Sequence, residues 1–125
     1  MQGLHLTADL AGCRTDRALF TVPDELRALC RRAVRSAGLQ AVGELFHRFE
    51  AGGGVTGVLL LAESHLALHT WPELGAVTID VYVCNYSGDN GARAEQLMAL
   101  LEAAFEPVRV ERHRLQRGSL GLPLP

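Results

Sequence analysis

The residue types able to do chemistry in this chain gather in Glu63-Ser64-His65 with His69 and Thr70, followed later by Cys84. A serine beside a histidine suggests a hydrolase, but the G-x-S-x-G elbow is absent, and adjacency along the chain says nothing about a triad in space. His65 and His69 have the H-x-x-x-H spacing that on a helix brings two imidazoles to one zinc ion. Their segment instead alternates Leu66 and Leu68 against His65, Ala67 and His69, the pattern of a strand. In a strand, positions i and i+4 lie about 13 Å apart, too far to share a metal, so none is expected. Taken singly, each of these groups reads as a polar residue at a strand end.

Composition narrows the chemistry further. All 12 basic residues are arginine, and the absence of lysine excludes a P-loop lysine, a lysine nucleophile and the lysine that anchors pyridoxal phosphate. Amine chemistry here needs another carbonyl. Cys13, Cys30 and Cys84 have no C-x-x-C spacing, which indicates neither a disulfide framework nor a thiolate zinc site. A net charge of −2 leaves no general footprint for nucleic acid, and Arg109, Arg112, Arg114 and Arg117 read as solvated surface. No apolar run approaches the length of a membrane span, so a cytoplasmic protein without membrane attachment is expected.

These residues need elements to position them. Residues 3–10 carry Leu4, Leu6, Ala8 and Leu10 at period two, a half-buried strand. Thr21, Pro23 and Asp24 predict a helix start, and Leu26, Leu29, Cys30, Ala33, Val34 and Ala37 form its apolar stripe up to Gly38. Residues 39–49, 55–62, 65–71 and 76–84 read as four more strands, the Gly52-Gly53-Gly54 run as a connector. Asp89 or Asn90 caps a second helix bearing Ala94, Leu97, Met98, Leu101 and Phe105, residues 107–110 read as a last short strand, and the tail from Gly118 reads as loose. The order predicts a single α+β domain over residues 1–125: a two-layer sandwich of mostly antiparallel sheet with two main helices on one face. A sheet face left without helices favours a homodimer.

The string Glu63-Ser64-His65-Leu66-Ala67-Leu68-His69-Thr70-Trp71-Pro72-Glu73, followed by Ile79-Asp80-Val81-Tyr82-Val83-Cys84, resembles the prokaryotic S-adenosylmethionine decarboxylase proenzymes. Gly3-Leu4-His5-Leu6, Phe46-His47-Arg48-Phe49 and Gly54-Val55-Thr56-Gly57-Val58 follow the same family pattern in the same order.

The resemblance implies a chain that cuts itself between Glu63 and Ser64. Ser64 attacks the Glu63 carbonyl, the amide becomes an ester, and elimination followed by hydrolysis leaves a covalent pyruvoyl group on residue 64. His69 matches the family's processing base, and Thr56 stands where a hydroxyl residue steadies the tetrahedral intermediate. The mature ketone forms a Schiff base with the substrate amine and accepts electrons as carbon dioxide leaves. Cys84 matches the proton donor to the former α-carbon. Glu73 matches the carboxylate that holds the substrate ribose, and Phe49 is the partner for adenine. His5, His47 and Cys13 are left as structural. Departures at Leu74-Gly75-Ala76 and from Asn85 to Asp89 fall in the pocket that reads adenosine. S-adenosylmethionine is therefore the first substrate, giving the aminopropyl donor of spermidine synthesis, with L-ornithine or L-arginine as the alternative. An unprocessed, non-enzymatic paralogue is the reading from another class.

Overall fold

Period-two alternation becomes six strands in the computed structural model, which describes residues 2–50, 52–85 and 88–118. They are β1 (Gly3–Ala11), β2 (Ala41–Arg48), β3 (Val55–Leu61), β4 (Ser64–Trp71), β5 (Ala76–Cys84) and β6 (Arg109–Arg117). The sheet order is β2-β3-β4-β5-β1-β6, with every neighbouring pair antiparallel. Helices α1 (Pro23–Ser36) and α2 (Gly91–Phe105) cover one face, so the fold is the expected two-layer α+β sandwich. Among the described residues no helix is long and apolar enough to cross a membrane.

The core lies between helices and sheet. Leu4, Leu6, Ala8 and Leu10 of β1, Leu66 and Leu68 of β4, and Val77, Ile79, Val81 and Val83 of β5 all point to the helices and are buried. Leu26, Cys30 and Val34 of α1 and Leu97, Leu101 and Phe105 of α2 meet them, with Phe20 packed edge to face on Phe105 at 5.6 Å between ring centroids. Cys30 is fully buried, which pushes its thiol up to about 12 and leaves it a core residue, as expected.

Thr70 leaves the polar cluster for the same reason. It points to the helix side, 3% exposed, donates to the Phe20 carbonyl at 2.8 Å and accepts from the Val55 N–H at 2.8 Å. The loop after β2 must pass close to this point, and a Cβ on Gly54 would lie 2.0 Å from the Thr70 carbonyl oxygen, so only glycine fits.

Two local expectations are corrected and one is refined. The N-cap of α1 is Val22 with no side-chain cap bond, because Thr21 closes the short 3-10 turn Ala18–Phe20 instead. Asn90 occupies the N-cap of α2 but its side chain caps nothing there; Asp89 Oδ1 accepts the Gly91 N–H at 2.9 Å. The last strand runs from Arg109 to Arg117, well past residue 110. Its polar sequence offers no apolar face, but β1 supplies a full ladder of partners from Gly3 to Ala11. The basic cluster is thus an exposed, charged edge strand. Arg112 pairs with Glu102 and Arg114 with Glu95, both on α2, and such an edge resists pairing with other sheets.

Candidate active site

Strands β3 and β4 are joined by the two-residue turn Ala62-Glu63, which brings Leu61 opposite Ser64. Ser64 has φ 133°, a region that side-chain-bearing residues avoid. Such a conformation costs about 1–3 kcal/mol and persists only where surrounding structure enforces it. Here the enforcement comes from both sides. Ala62 N–H donates to the Gln40 carbonyl at 2.9 Å, and the Glu63 carbonyl accepts the Cys84 N–H at 3.1 Å. The β4–β5 ladder, with Ser64 opposite Val83, carries Cys84 to the turn. The strained Glu63–Ser64 peptide therefore has its carbonyl polarised by a fixed backbone donor, while the Ser64 hydroxyl sits one residue away.

Asn90 completes this end. Its Nδ2 donates to Glu63 Oε2 at 2.6 Å and to the Cys84 carbonyl at 3.0 Å, and its Oδ1 accepts from Arg93 Nη1 at 3.0 Å.

A second group forms at the other end of the sheet. Thr56 of β3 lies opposite His69 of β4, and Thr56 Oγ1 shares a hydrogen bond of 3.0 Å with His69 Nδ1. That bond occupies Nδ1 and leaves proton exchange to Nε2. Trp71 lies beside His69, its ring centroid 6.3 Å away, and donates from Nε1 to Thr78 Oγ1 at 3.4 Å. Phe49 follows β2, edge to face with His47 at 5.0 Å, and Glu73 is exposed on the 3-10 turn Pro72–Leu74.

The structure thus brings Glu63, Ser64 and Cys84 together at one end, and Thr56, His69, Phe49 and Glu73 at the other. Within one chain it does not join the two groups. The five residue steps of extended strand from Ser64 to His69 span about 16 Å, beyond any direct proton transfer.

The model of the S-adenosylmethionine decarboxylase family matches residues 4–118. The S-adenosylmethionine decarboxylase proenzyme of Aquifex aeolicus is 38% identical over 116 residues, 93% of this chain and 81% of its own. That of Archaeoglobus fulgidus is 34% identical over 93% of this chain and 97% of its own. The crystal structure of the Aquifex aeolicus adenosylmethionine decarboxylase superposes with a TM-score of 0.85 at 35% identity, covering 98% of this chain and 96% of that one. The chain belongs to the S-adenosylmethionine decarboxylase family. Membership places it among the carboxy-lyases, and the word proenzyme in its relatives' names denotes chains that are processed.

In this member of the S-adenosylmethionine decarboxylase family, further polar groups form a row across β1, β5 and β4, and residue order alone gives them no joint role. His5 Nε2 lies 3.0 Å from Asp80 Oδ1, and the Tyr82 ring sits between the rings of His5 and His65. Tyr82 also crosses Gly3, the residue opposite Cys84, where an added Cβ would meet the phenol oxygen at 2.5 Å. The signal was present as period-two polar positions in β1 and β5, but alternation shows only that they share a face. Asn90 was visible only as a helix cap, because its partners lie 27 and 6 residues away.

Proposed function

We propose that the chain is a self-processing, pyruvoyl-dependent S-adenosylmethionine decarboxylase, cleaved into residues 1–63 and 64–125. The observation that carries this reading is the strained Ser64 whose preceding carbonyl is held by the Cys84 N–H. Attack of the Ser64 hydroxyl on the Glu63 carbonyl carbon forms the C–O bond and breaks the C–N bond. The developing oxyanion lies where that backbone donor already points, and breaking the C–N bond releases the strain at Ser64. His69 then takes the Ser64 Cα proton while the Glu63 carboxylate leaves; Thr56 holds the imidazole through Nδ1. Hydrolysis of the resulting dehydroalanine yields ammonia and the pyruvoyl end. Ser64, as a residue with a hydroxyl on Cβ at a strained turn, suits conversion to that group, which supplies an electron sink for decarboxylation.

The roughly 16 Å between Ser64 and His69 along β4 is overcome by a homodimer. The helix-free face exposes Leu45, Leu60, Trp71 and Leu115 to 72%, 53%, 41% and 52%. A two-fold axis lying across the strands near Ala67 stacks two such faces and reverses strand direction. It lays the His69 end of each protomer over the Ser64 end of the other, making two identical composite sites. Phe49 and Glu73 travel with His69, so adenine and ribose contacts reach the substrate from the partner. Cys84 stays beside residue 64 as proton donor. The three free thiols, Cys13, Cys30 and Cys84, suit a reducing cytoplasm.

Carbon dioxide release from S-adenosylmethionine by the purified, cleaved protein tests the reading; release from none of the three candidate substrates would remove it. We expect a higher kcat/KM for S-adenosylmethionine than for ornithine or arginine, because stacking on Phe49 and hydrogen bonds to Glu73 have no counterpart on the smaller amino acids. Glu73→Gln should lower that ratio about tenfold, the loss of one charge-assisted contact. A larger value for ornithine or arginine would transfer the same chemistry to that substrate.

Cys84→Ala should still self-cleave, because alanine keeps the backbone N–H that binds the Glu63 carbonyl. Decarboxylation should fall by about a hundredfold or more, the usual scale for removing a general acid. Unchanged carbon dioxide release, measured beside a melting curve, would take Cys84 out of the mechanism.

A further inference from the structure

We propose that Asn90 is a positioning residue for self-cleavage, clamping the Glu63 side of the scissile bond to the strand end that carries Cys84. The inference rests on the self-processing reading above and adds a residue to it.

Asn90 is 6% exposed, yet it sits at the start of an exposed helix turn where an asparagine normally accepts a backbone N–H. Its side chain forgoes that role, and Asp89 takes up the Gly91 N–H. Both amide hydrogens go elsewhere, one to Glu63 Oε2 and one to the Cys84 carbonyl, while Oδ1 accepts from Arg93. An amide has no further hydrogens to donate, so its orientation is set by three partners at once. The main chain repeats the link, since the Cys84 N–H holds the Glu63 carbonyl at 3.1 Å and the Asn90 N–H is held by Asn85 Oδ1 at 2.9 Å.

The effect is to fix the Glu63 side of the scissile peptide unit. Backbone and side chain of Glu63 are tied to residue 84 from two directions, so the turn cannot relax the Ser64 φ by swinging the Glu63 carbonyl away. Misplacement of a reacting carbonyl by about 1 Å can cost as much as a hundredfold in rate. After cleavage, the same contacts hold the new Glu63 carboxylate against the Cys84 strand end, now with charge on the acceptor.

The test follows self-cleavage of freshly synthesised chain by denaturing mass spectrometry, with and without neutral hydroxylamine, which captures the Ser64 ester as a Glu63 hydroxamate. Asn90→Ala should slow the appearance of the two fragments about tenfold or more and lower hydroxamate yield in step, because the ester itself forms poorly. His69→Ala serves as the contrast: its spontaneous cleavage is lost, but hydroxylamine still cuts it, since the ester forms and only elimination fails. A residue that merely supported the fold would not separate these two signatures. Arg93→Met, an exposed change that frees only the amide orientation, should slow cleavage about threefold and decides the matter if Asn90→Ala does not fold. Asn90→Ala cleaving within a factor of about two of the wild type overturns the inference alone, as does Arg93→Met at the wild-type rate when Asn90→Ala is unfolded. A wild-type chain that never cleaves overturns the self-processing reading and this inference with it.

Discussion

Substitution of Ser64 by alanine is expected to leave one intact chain of 125 residues, whereas the wild type should, on the self-processing proposal, separate into residues 1–63 and 64–125. The loss should be complete, because alanine offers no oxygen to attack the Glu63 carbonyl and no ester can form. The structural setting is otherwise unchanged: alanine carries the same Cβ as serine, so the strained φ of 133° and the Cys84 N–H bond to the Glu63 carbonyl should persist. Strain alone does not cut an amide. Intact-mass analysis after prolonged incubation reads the result directly, and the second wild-type fragment is expected to be blocked at its N-terminus by the proposed pyruvoyl group. A wild-type sample that remains full length, or a Ser64→Ala chain that still separates at 63–64, would end the self-processing proposal.

Ser64→Ala and His69→Ala, each inert alone, should restore cleavage when expressed together. In a mixed dimer the Ser64→Ala protomer keeps His69 and presents it to the intact Ser64 of the His69→Ala protomer. The other composite site has neither group. Cleavage should therefore appear only in the His69→Ala chain, and, for random pairing with equal amounts, in about half of those chains, the share expected from a closed two-fold dimer. A mass tag on one partner identifies which chain is cut. If each site were built within one chain, co-expression would give no fragments. Restoration from nothing to a substantial fraction makes the outcome hard to mistake. Absence of cleavage in dimers shown to be mixed would return His69 to a role within its own protomer, or to none.

The elements that bury apolar stripes were legible from residue order, because burial imposes a period. Leu4, Leu6, Ala8 and Leu10 could only be a strand face, and Leu26, Cys30, Ala33 and Val34 a helix stripe. Strand β6 was read short because Glu111-Arg112-His113-Arg114 has no such stripe; its pairing comes from the open edge of β1 and from Glu95 and Glu102 on α2. Residue type marks Thr21 as the cap of α1 and Asp89 or Asn90 as that of α2; Thr21 instead closes the preceding 3-10 turn, and at α2 it is Asp89 that takes the helix N–H while the Asn90 side chain goes to partners elsewhere in the fold.

The sequence by itself determined the family, since the order Glu63-Ser64-His65, His69, Glu73 and Cys84 is covalent information that folding does not alter. It also showed that no lysine is present to hold a carbonyl cofactor as a Schiff base. Only the tertiary structure decided how those residues divide in space: Cys84 and Asn90 against Glu63, Thr56 against His69, and the two groups at opposite ends of one strand. The physical reason is that six residues in a row read as neighbours on paper, while an extended backbone holds their ends about 16 Å apart. Residues distant in sequence are brought within about 3 Å by antiparallel register and by the seating of α2 on the sheet, both of which depend on how all the buried faces fit together at once.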